Sequence, residues 1–202
     1  FQRVCPALSM SFEECIENAK DYAWGGAKYN LGNGIDAIGV ADLVNSVIAV
    51  KKLVYDNKTV AMKKLLEALD RNFEGYEDVR KLCSECPKYG NDDEEANELT
   101  GDLFSFIADY IESFSSRFGK MTPGILPVSG NTPFGIEVGA LPSGREAWSP
   151  LADGVSPNQG TDIDGMGAVL KSVSYIPHGR FNQGTLLNVK LDTAFRDTPH
   201  ST

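Results

Sequence analysis

The sequence lacks several features that would assign it to a familiar class of protein. No apolar run approaches the roughly 18 residues that cross a bilayer, so we expect no membrane-spanning segment. The 19 Lys and Arg residues are outnumbered by 28 Asp and Glu residues, which gives a net charge of −9. Because nucleic acids and anionic membranes attract basic proteins, this balance predicts neither as a partner.

Cysteine and histidine are also scarce. Four cysteines in 202 residues are too few for a disulfide scaffold. Cys83 and Cys86 form one CxxC pair, but a zinc site needs four ligands, and both histidines, His178 and His200, lie far away in sequence. We therefore predict no metal site and expect buried or incidental thiols, with metal or redox use of the CxxC pair as the alternative.

What is present is enough apolar material for a real core. Apolar residues make up 42% of the chain and aromatic residues 9%. The first residues, FQRVCPALSM, show neither a signal-peptide core nor an initiating Met. We expect a cytoplasmic protein that is cut from a longer one.

The first 120 residues have helical patterns. Ser11 followed by Glu14 is a capping-box pattern, and Thr59 is a candidate N-cap. Apolar residues recur at helical spacing in two segments, as Leu43, Val47, Val50 and Val54 and as Phe104, Ile107, Ile111, Phe114 and Phe118. The expected helices span residues 11–24, 40–55, 59–69 and 92–118, the last ending at Gly119.

After residue 120 proline and glycine become frequent, and short apolar runs predict strands. These runs are GILPVSG, AVLKSVSYI and GTLLNVKL. We predict an α/β class with helices in residues 1–120 and strands and loops in residues 121–202. Such late strands cannot close a barrel or a doubly wound sheet alone, so residues 1–202 are expected to form a single, partial domain.

An irregular segment, residues 141–162, interrupts this second part. LPSG predicts a turn that places Gly144 at its fourth position, Asp153 and Gly154 predict a second turn, and Ser156 to Asn158 a third. Arg145 has five donors and is suited to clamp such loops through carbonyl oxygens or through Asp153. The segment is interpreted as a clamped structural loop, with direct substrate contact as the alternative.

Four ordered blocks carry a resemblance to a known family. They are ECIENAKDYAWGGAKYN, FEGYEDVRKLCSECPKYGNDD, GALPSGREAWSPLADGVSPNQGTD and AVLKSVSYIPHGRFNQGTLLNVKL. Together they resemble the glycyl radical enzymes, in the pyruvate formate-lyase-like branch that contains glycerol and choline lyases and arylacetate decarboxylases. The shared residues are loop glycines, prolines and charges, and the match runs from about residue 5 to residue 191.

The resemblance implies a fold, a mechanism and partners. The fold is a ten-stranded α/β barrel of two half-barrels, so the remaining barrel strands would be partners of this section. A glycyl radical, installed by an activating enzyme that uses S-adenosylmethionine and an iron–sulfur cluster, makes a cysteine thiyl radical. The thiyl radical takes hydrogen from a small substrate in an anaerobic cytoplasm. A homo-oligomer is also expected.

Two family motifs are missing from the sequence. The radical glycine of the family lies in RVxGY and the thiyl cysteine in GCxE, and neither motif occurs here. None of the cysteines carries the GCxE surroundings, so we predict no catalytic residue in this span and no cofactor bound by it. The resemblance places the chain between the two catalytic loops.

The strands would still contribute to a barrel wall. The residues predicted to form the wall of the substrate pocket are Leu126, Val128, Ser129, Asn131, Leu187 and Asn188. One hypothesis is therefore a section of a glycyl radical lyase, inactive alone, whose parent cleaves a C–O, C–N, C–S or C–C bond. The other is a stand-alone, non-catalytic binding or assembly module on the same scaffold.

Carboxylates are concentrated between Tyr89 and Ser116, where eight occur without a Lys or Arg. The simplest interpretation is a solvated helical face. The alternative is a docking surface for a basic partner such as the activating enzyme.

Overall fold

A computed structural model describes residues 4–29, 34–116, 119–126 and 129–189 of the protein. The described helices and strands, in chain order, are α1 (Pro6–Ser9), β1 (Gly34–Asp36), α2 (Val40–Val50), α3 (Met62–Asp70), α4 (Glu77–Glu85), α5 (Glu94–Glu112), β2 (Ser115–Ser116), β3 (Gly119–Lys120), β4 (Thr122–Gly124), α6 (Asn131–Glu137) and α7 (Gly165–Ser174). A π-helical turn over Lys51–Asp56 extends α2, and 3-10 turns cover Tyr22–Trp24 and His178–Arg180.

Helices α2 and α5 pack together at the centre of the core. Val44 and Ile48 of α2 and Phe104 and Ala108 of α5 are all buried. Because α2 is covered on nearly every side, its buried residues do not follow the predicted stripe, and Leu43 is 43% exposed. The helix itself is confirmed, but the face predicted to be buried is wrong.

Helix α5 is shorter than predicted. Asp93 caps its first turn by accepting a hydrogen bond from the backbone N–H of Ala96 at 2.9 Å. The helix ends at Glu112 because β2 and β3 then form an antiparallel hairpin, which leaves Phe114 47% exposed. Phe104 and Ile111 of the predicted stripe are buried, and Phe118 lies outside the described residues.

Two predicted caps are wrong. The hydroxyl of Ser11 donates to the carbonyl of Leu8 at 2.6 Å, and Glu14 has a φ of 71°, which breaks the expected helix from 11 to 24. Helix α3 begins after Ala61, and the hydroxyl of Thr59 donates instead to the carbonyl of Leu53 at 3.3 Å.

The N-terminal segment folds around Asp21 rather than as a helix. The Asp21 carboxylate accepts hydrogen bonds from the N–H of Cys5 at 2.7 Å, the hydroxyl of Ser9 at 2.8 Å and the N–H of Ala23 at 2.9 Å. Burial raises the pKa of Asp21, but the three hydrogen bonds outweigh it, and the pKa lies below its ordinary value.

The described strands form a short parallel ladder. Strand β1 pairs in parallel with β4, with Asp36 opposite Gly124. Ile125 then bridges in parallel to Thr185. The prediction that the strands cluster after residue 120 is therefore only partly correct, because β1 lies before every long helix in the chain.

One predicted strand is wrong. Residues 168–176, AVLKSVSYI, lie mostly in helix α7. Val169, Ser172 and Val173 are buried, and their spacing of three and four residues fits one face of a helix. The run GILPVSG pairs through Gly124, the last residue of β4, and through Ile125, and its residues 127 and 128 lie outside the described part. The run GTLLNVKL pairs at Thr185, and residues 190 and 191 lie outside the described part as well. Among the described helices, none is long and apolar enough to cross a membrane.

Candidate functional site

The segment from 141 to 162 is ordered by turns and by one guanidinium group. The N–H of Gly144 donates to the carbonyl of Leu141 at 3.0 Å, which closes the predicted LPSG turn. Gly144 has a φ of 90°, and a Cβ there would lie 2.4 Å from Oγ of Ser84. Glycine is therefore needed both for the backbone conformation and for the close approach to α4.

Arg145 clamps this segment against the end of α6. Its donors reach Gly135 at 2.7 Å, Gly139 at 2.9 Å and Val138 at 3.2 Å, all through carbonyl oxygens at or beyond the last turn of α6. It also donates to the carbonyl of Ser149. A cation at this place complements the unpaired carbonyls at the C-terminal end of the helix.

A buried polar chain holds the other end of the segment. Asp42, 1% exposed, accepts a hydrogen bond from the N–H of Ala152 at 2.6 Å and one from Nδ2 of Asn158 at 2.5 Å. Oδ1 of Asn158 accepts from Nδ2 of Asn45 at 2.8 Å, and Oδ1 of Asn45 accepts from the N–H of Tyr89 at 2.8 Å. Helix α2 is thereby tied to two irregular stretches of chain at once.

The charge of Asp42 is held in an apolar interior. Burial raises its pKa, and the hydrogen bonds from Ala152 and Asn158, together with the charge of Arg145, offset only part of that rise. Burial likewise lowers the pKa of Arg145, and the attraction of Asp42 opposes the change. The two charged groups thus act on the same loop, one from inside the core and one from its edge.

The middle of the segment pairs with the ladder. The hydroxyl of Tyr89 donates to the carbonyl of Val155 at 2.7 Å, and the N–H of Val155 donates to the carbonyl of Leu186 at 2.8 Å. The N–H of Ser156 donates to the carbonyl of Asp153 at 2.9 Å, which closes the second predicted turn. The third described turn joins Asn158 to Thr161 rather than Ser156 to Asn158.

Asp153 and Asn188 form a pair at the end of this ladder. Nδ2 of Asn188 donates to Oδ2 of Asp153, and the N–H of Asn188 donates to Oγ of Ser156 at 3.0 Å. Oδ1 of Asp153 is buried and has no hydrogen-bond donor among the described residues. Arg145 contacts carbonyl oxygens in the described structure, and Asp153 pairs with Asn188 instead.

The predicted wall residues lie in different settings. Asn131 begins α6 and donates from Nδ2 to the carbonyl of Leu151 at 3.3 Å, while Leu187 packs against the core. Leu126 is half-buried, Ser129 and Asn188 are exposed, and Val128 lies outside the described residues.

A cleft of about 890 Å³ lies elsewhere on the described surface, between the end of α4 and the clamped segment. Its lining includes Arg80, Lys88, Asn158 and Asp164, and none of the five predicted wall residues that the structure describes. Nζ of Lys88 donates to the carbonyls of Cys83 and Cys86 at 2.7 and 3.1 Å. The lysine therefore serves as a side-chain cap of α4 rather than as a free charge in the cleft.

The CxxC cysteines are buried free thiols. Burial raises the pKa of Cys83 to about 11, so its thiol stays protonated and unreactive near neutral pH. Cys86 is 8% exposed, and burial raises its pKa as well.

Comparison with known proteins assigns the chain to a family. A family model described as "Pyruvate formate lyase-like" matches residues 3–135. The chain belongs to the pyruvate formate lyase-like family.

Characterised members of the pyruvate formate lyase-like family are similar over most of the chain. The trans-4-hydroxy-L-proline dehydratase of Clostridioides difficile is 40% identical over 186 residues, which cover 91% of this chain and 23% of that protein. The isethionate sulfite-lyase of Bilophila wadsworthia is 41% identical over 165 residues, 76% of this chain and 19% of that one.

A solved structure agrees. The glycerol-bound B12-independent glycerol dehydratase of Clostridium butyricum has a TM-score of 0.87 and 36% identity, covering 92% of this chain and 24% of that one. This chain thus spans about a quarter of the length of such relatives. The relatives are glycyl radical enzymes, lyases and dehydratases of small substrates, as the sequence blocks predicted.

Sequence reasoning missed the polar chain of Asp42, Asn45, Tyr89 and Asn158. A signal was available in α2, where the polar residues Asp42, Asn45 and Ser46 interrupt an apolar helix and are all buried. The partners of the Asp42 and Asn45 side chains lie 44 to 116 residues away, and periodicity carries no information on such pairs.

Proposed function

We propose that this chain is one section of a glycyl radical lyase whose parent cleaves a C–O, C–N, C–S or C–C bond in a small substrate. The observation that carries the proposal is the identity of 40% to a dehydratase over 91% of the chain. The section itself is inactive alone, since it contains neither RVxGY nor GCxE.

The short parallel ladder supports a place in a ten-stranded barrel. Strand β1 pairs with β4, Ile125 bridges to Thr185, and helix α5 packs against β4 with α2 packed against α5. A ladder of this size leaves strand edges that need partners, which the rest of the parent polypeptide would provide.

In the parent, the glycyl radical supplies the hydrogen-abstracting chemistry by way of a cysteine thiyl radical. The residues of this chain would help to bind and orient the substrate. Arg145 and Asp42 hold the segment from 141 to 162, and that segment supports the extended chain that contains Leu187 and Asn188. Differential binding of substrate and transition state by such a wall selects which molecule reacts.

The proposal includes partners. The parent would be activated by a radical S-adenosylmethionine enzyme with an iron–sulfur cluster, in an anaerobic cytoplasm, and would act as a homo-oligomer. The acidic residues of α5 are available to such an activating enzyme only in part, because Glu95 pairs with Lys51 at 2.6 Å and Glu112 pairs with Arg180 at 2.9 Å.

The test is anaerobic activation of the full-length polypeptide that carries this chain. Activation should produce the doublet of a glycyl radical in the electron paramagnetic resonance spectrum. It should also produce turnover of at least one small hydroxylated substrate, with trans-4-hydroxy-L-proline, isethionate and glycerol as the first panel. The 202-residue chain, treated in the same way, should show neither. An intact mass near 21.9 kDa for the protein in its source cells would instead favour the stand-alone module.

A further inference from the structure

Asn188 lies on an extended piece of chain that runs between Ile125 and Val155. The N–H of Leu186 donates to the carbonyl of Ile125 at 3.2 Å, and the N–H of Val155 donates to the carbonyl of Leu186 at 2.8 Å. Side chains alternate between the two faces of a strand. Leu187 packs against the helical core, so its neighbour Asn188 lies on the opposite face, where it is exposed. In a closed barrel with helices outside, that opposite face is the interior.

The clamped segment fixes the carboxamide of Asn188. An ionised carboxylate only accepts hydrogen bonds, so the amino end of the carboxamide must face Asp153, as Nδ2 does. Rotating the carboxamide would set its oxygen against Oδ2 of Asp153. It would also remove the one donor that the carboxylate has among the described residues. Oδ1 of Asn188 is therefore directed away from Asp153 as an acceptor.

The backbone beneath this pair is held equally firmly. The N–H of Asn188 donates to Ser156 at 3.0 Å, and the N–H of Val155 donates to Leu186 at 2.8 Å. Gly154 permits this approach, because a Cβ there would lie 2.1 Å from the carbonyl oxygen of Leu186. The irregular segment thus acts as a rigid support for one polar side chain.

We propose that Asn188 determines substrate specificity by accepting, through Oδ1, a hydrogen bond from a hydroxyl group of the substrate. Asp153 is a positioning residue that sets the orientation of the carboxamide. This inference rests on the proposed function, because it takes the exposed face of the ladder to be the inside of a barrel. It assigns a purpose to the segment from 141 to 162 beyond bracing the fold.

The first test measures binding rather than turnover. Trans-4-hydroxy-L-proline, isethionate and glycerol, which all carry a hydroxyl group, are titrated calorimetrically into the full-length polypeptide before activation. Asn188→Ala should raise the dissociation constant of the bound compounds about tenfold, the ratio that one hydrogen bond supports. Asn182→Ala is the same change at an exposed asparagine six residues earlier in the chain. It should leave the dissociation constant within about twofold of the wild-type value.

A second variant pair tests the positioning role. Asn188→Asp places two carboxylates side by side, and binding of all three compounds should fall. Adding Asp153→Asn restores a donor–acceptor pair, so glycerol binding should return to within about threefold of the wild type. Isethionate, an anion, should remain weakly bound because a carboxylate now faces it. If the role of Asp153 were purely structural, the double variant would regain the binding of glycerol and of isethionate to the same extent.

The outcomes are separable. Unchanged binding in Asn188→Ala, or a wild type that binds none of the three hydroxyl compounds, overturns this inference. Equal recovery of glycerol and isethionate in the double variant overturns the positioning role of Asp153. Failure to form a glycyl radical on activation refutes the proposed function instead, whatever the binding constants are.

Discussion

Two irregular regions of this molecule are each organised by a carboxylate, and the two carboxylates behave in opposite ways. Asp21 holds the N-terminal segment from near the surface, and its hydrogen bonds lower its pKa. Asp42 holds the segment from 141 to 162 from inside the core, and burial raises its pKa. The same chemical group thus serves a local turn in one place and a long-range anchor in the other.

The difference shows where the order of a loop comes from. The donors to Asp21 lie 2 to 16 residues away in sequence, so the N-terminal region is ordered by hydrogen bonds between its own residues. The donors to Asp42 lie 110 and 116 residues away, and Arg145 adds a second clamp. Loss of the core should therefore disorder the second region and spare much of the first.

Removing the buried carboxylate should give the largest effect. Asp42→Ala leaves the N–H of Ala152 and the amide of Asn158 without an acceptor, and we expect the free energy of unfolding to fall by about 3 to 4 kcal/mol. Asp21→Ala should cost clearly less, because water can reach its donors. Urea denaturation of both variants measures the contrast, and equal losses would break the comparison.

The next effect concerns two glycines of the second region. Gly154 and Gly160 have φ values of 57° and 78°, but only Gly154 faces a close neighbour, the carbonyl oxygen of Leu186. Gly160→Ala should cost about 1 kcal/mol for its backbone conformation alone. Gly154→Ala should cost about 3 kcal/mol because a clash is added. Thermal unfolding of the two variants decides whether the ladder contact is as tight as described.

Weakening the outer clamp should have a smaller effect. Lysine is a point donor and cannot reach carbonyls on both sides of the loop, so Arg145→Lys should lower the free energy of unfolding by about 1 to 2 kcal/mol. Trp148, 72% exposed, should then be cleaved faster by chymotrypsin. Arg71→Lys, the same change at an exposed arginine outside this segment, serves as the control and should change the cleavage rate little.

The smallest effect is a difference in pH dependence. The folded pKa of Asp42 lies above the ordinary 3.8, so its contribution to stability is full below that pH and declines as pH rises through the folded pKa. The folded pKa of Asp21 lies below 3.8, so its contribution is present above that pH and is lost as pH falls through the folded pKa. Wild-type stability minus that of Asp42→Asn should therefore fall as pH rises above 3.8. The same difference for Asp21→Asn should rise as pH increases towards 3.8 from the acid side. Slopes of the same sign would refute the contrast between the two carboxylates.

Local patterns predicted some helices and missed others. The central part of α5 lies where periodicity placed it, α3 lies almost wholly within the expected span of 59–69 although its expected N-cap is wrong, and α4 was not predicted. Residues 168–176 were mistaken for a strand because a short apolar run fits a buried strand and a helix equally well. The expected helix after Ser11 failed because the hydrogen bonds to Asp21 compete with helical ones.

Sequence reasoning named some residues of the segment from 141 to 162 and of the chain beside it, but not the buried side chains that hold the segment. Arg145, Asp153 and Asn188 were singled out from residue type and position. Arg145 was expected to bind carbonyl oxygens or Asp153, and it binds carbonyl oxygens, whereas Asp153 pairs with Asn188, 35 residues away. Residue chemistry shows what a side chain can bind, and only the fold determines what is within its reach.

The sequence by itself determined the family, two turns of the segment from 141 to 162 and the helices α2, α3 and α5, because loop glycines, prolines and apolar spacing are local properties of the chain. The tertiary structure decided how the segment from 141 to 162 is held and what it supports. Asp42, Tyr89 and Leu186 reach that segment from separate parts of the chain. Their burial converts three separate hydrogen-bonding groups into one rigid support, since a buried polar group cannot exchange its partner for water.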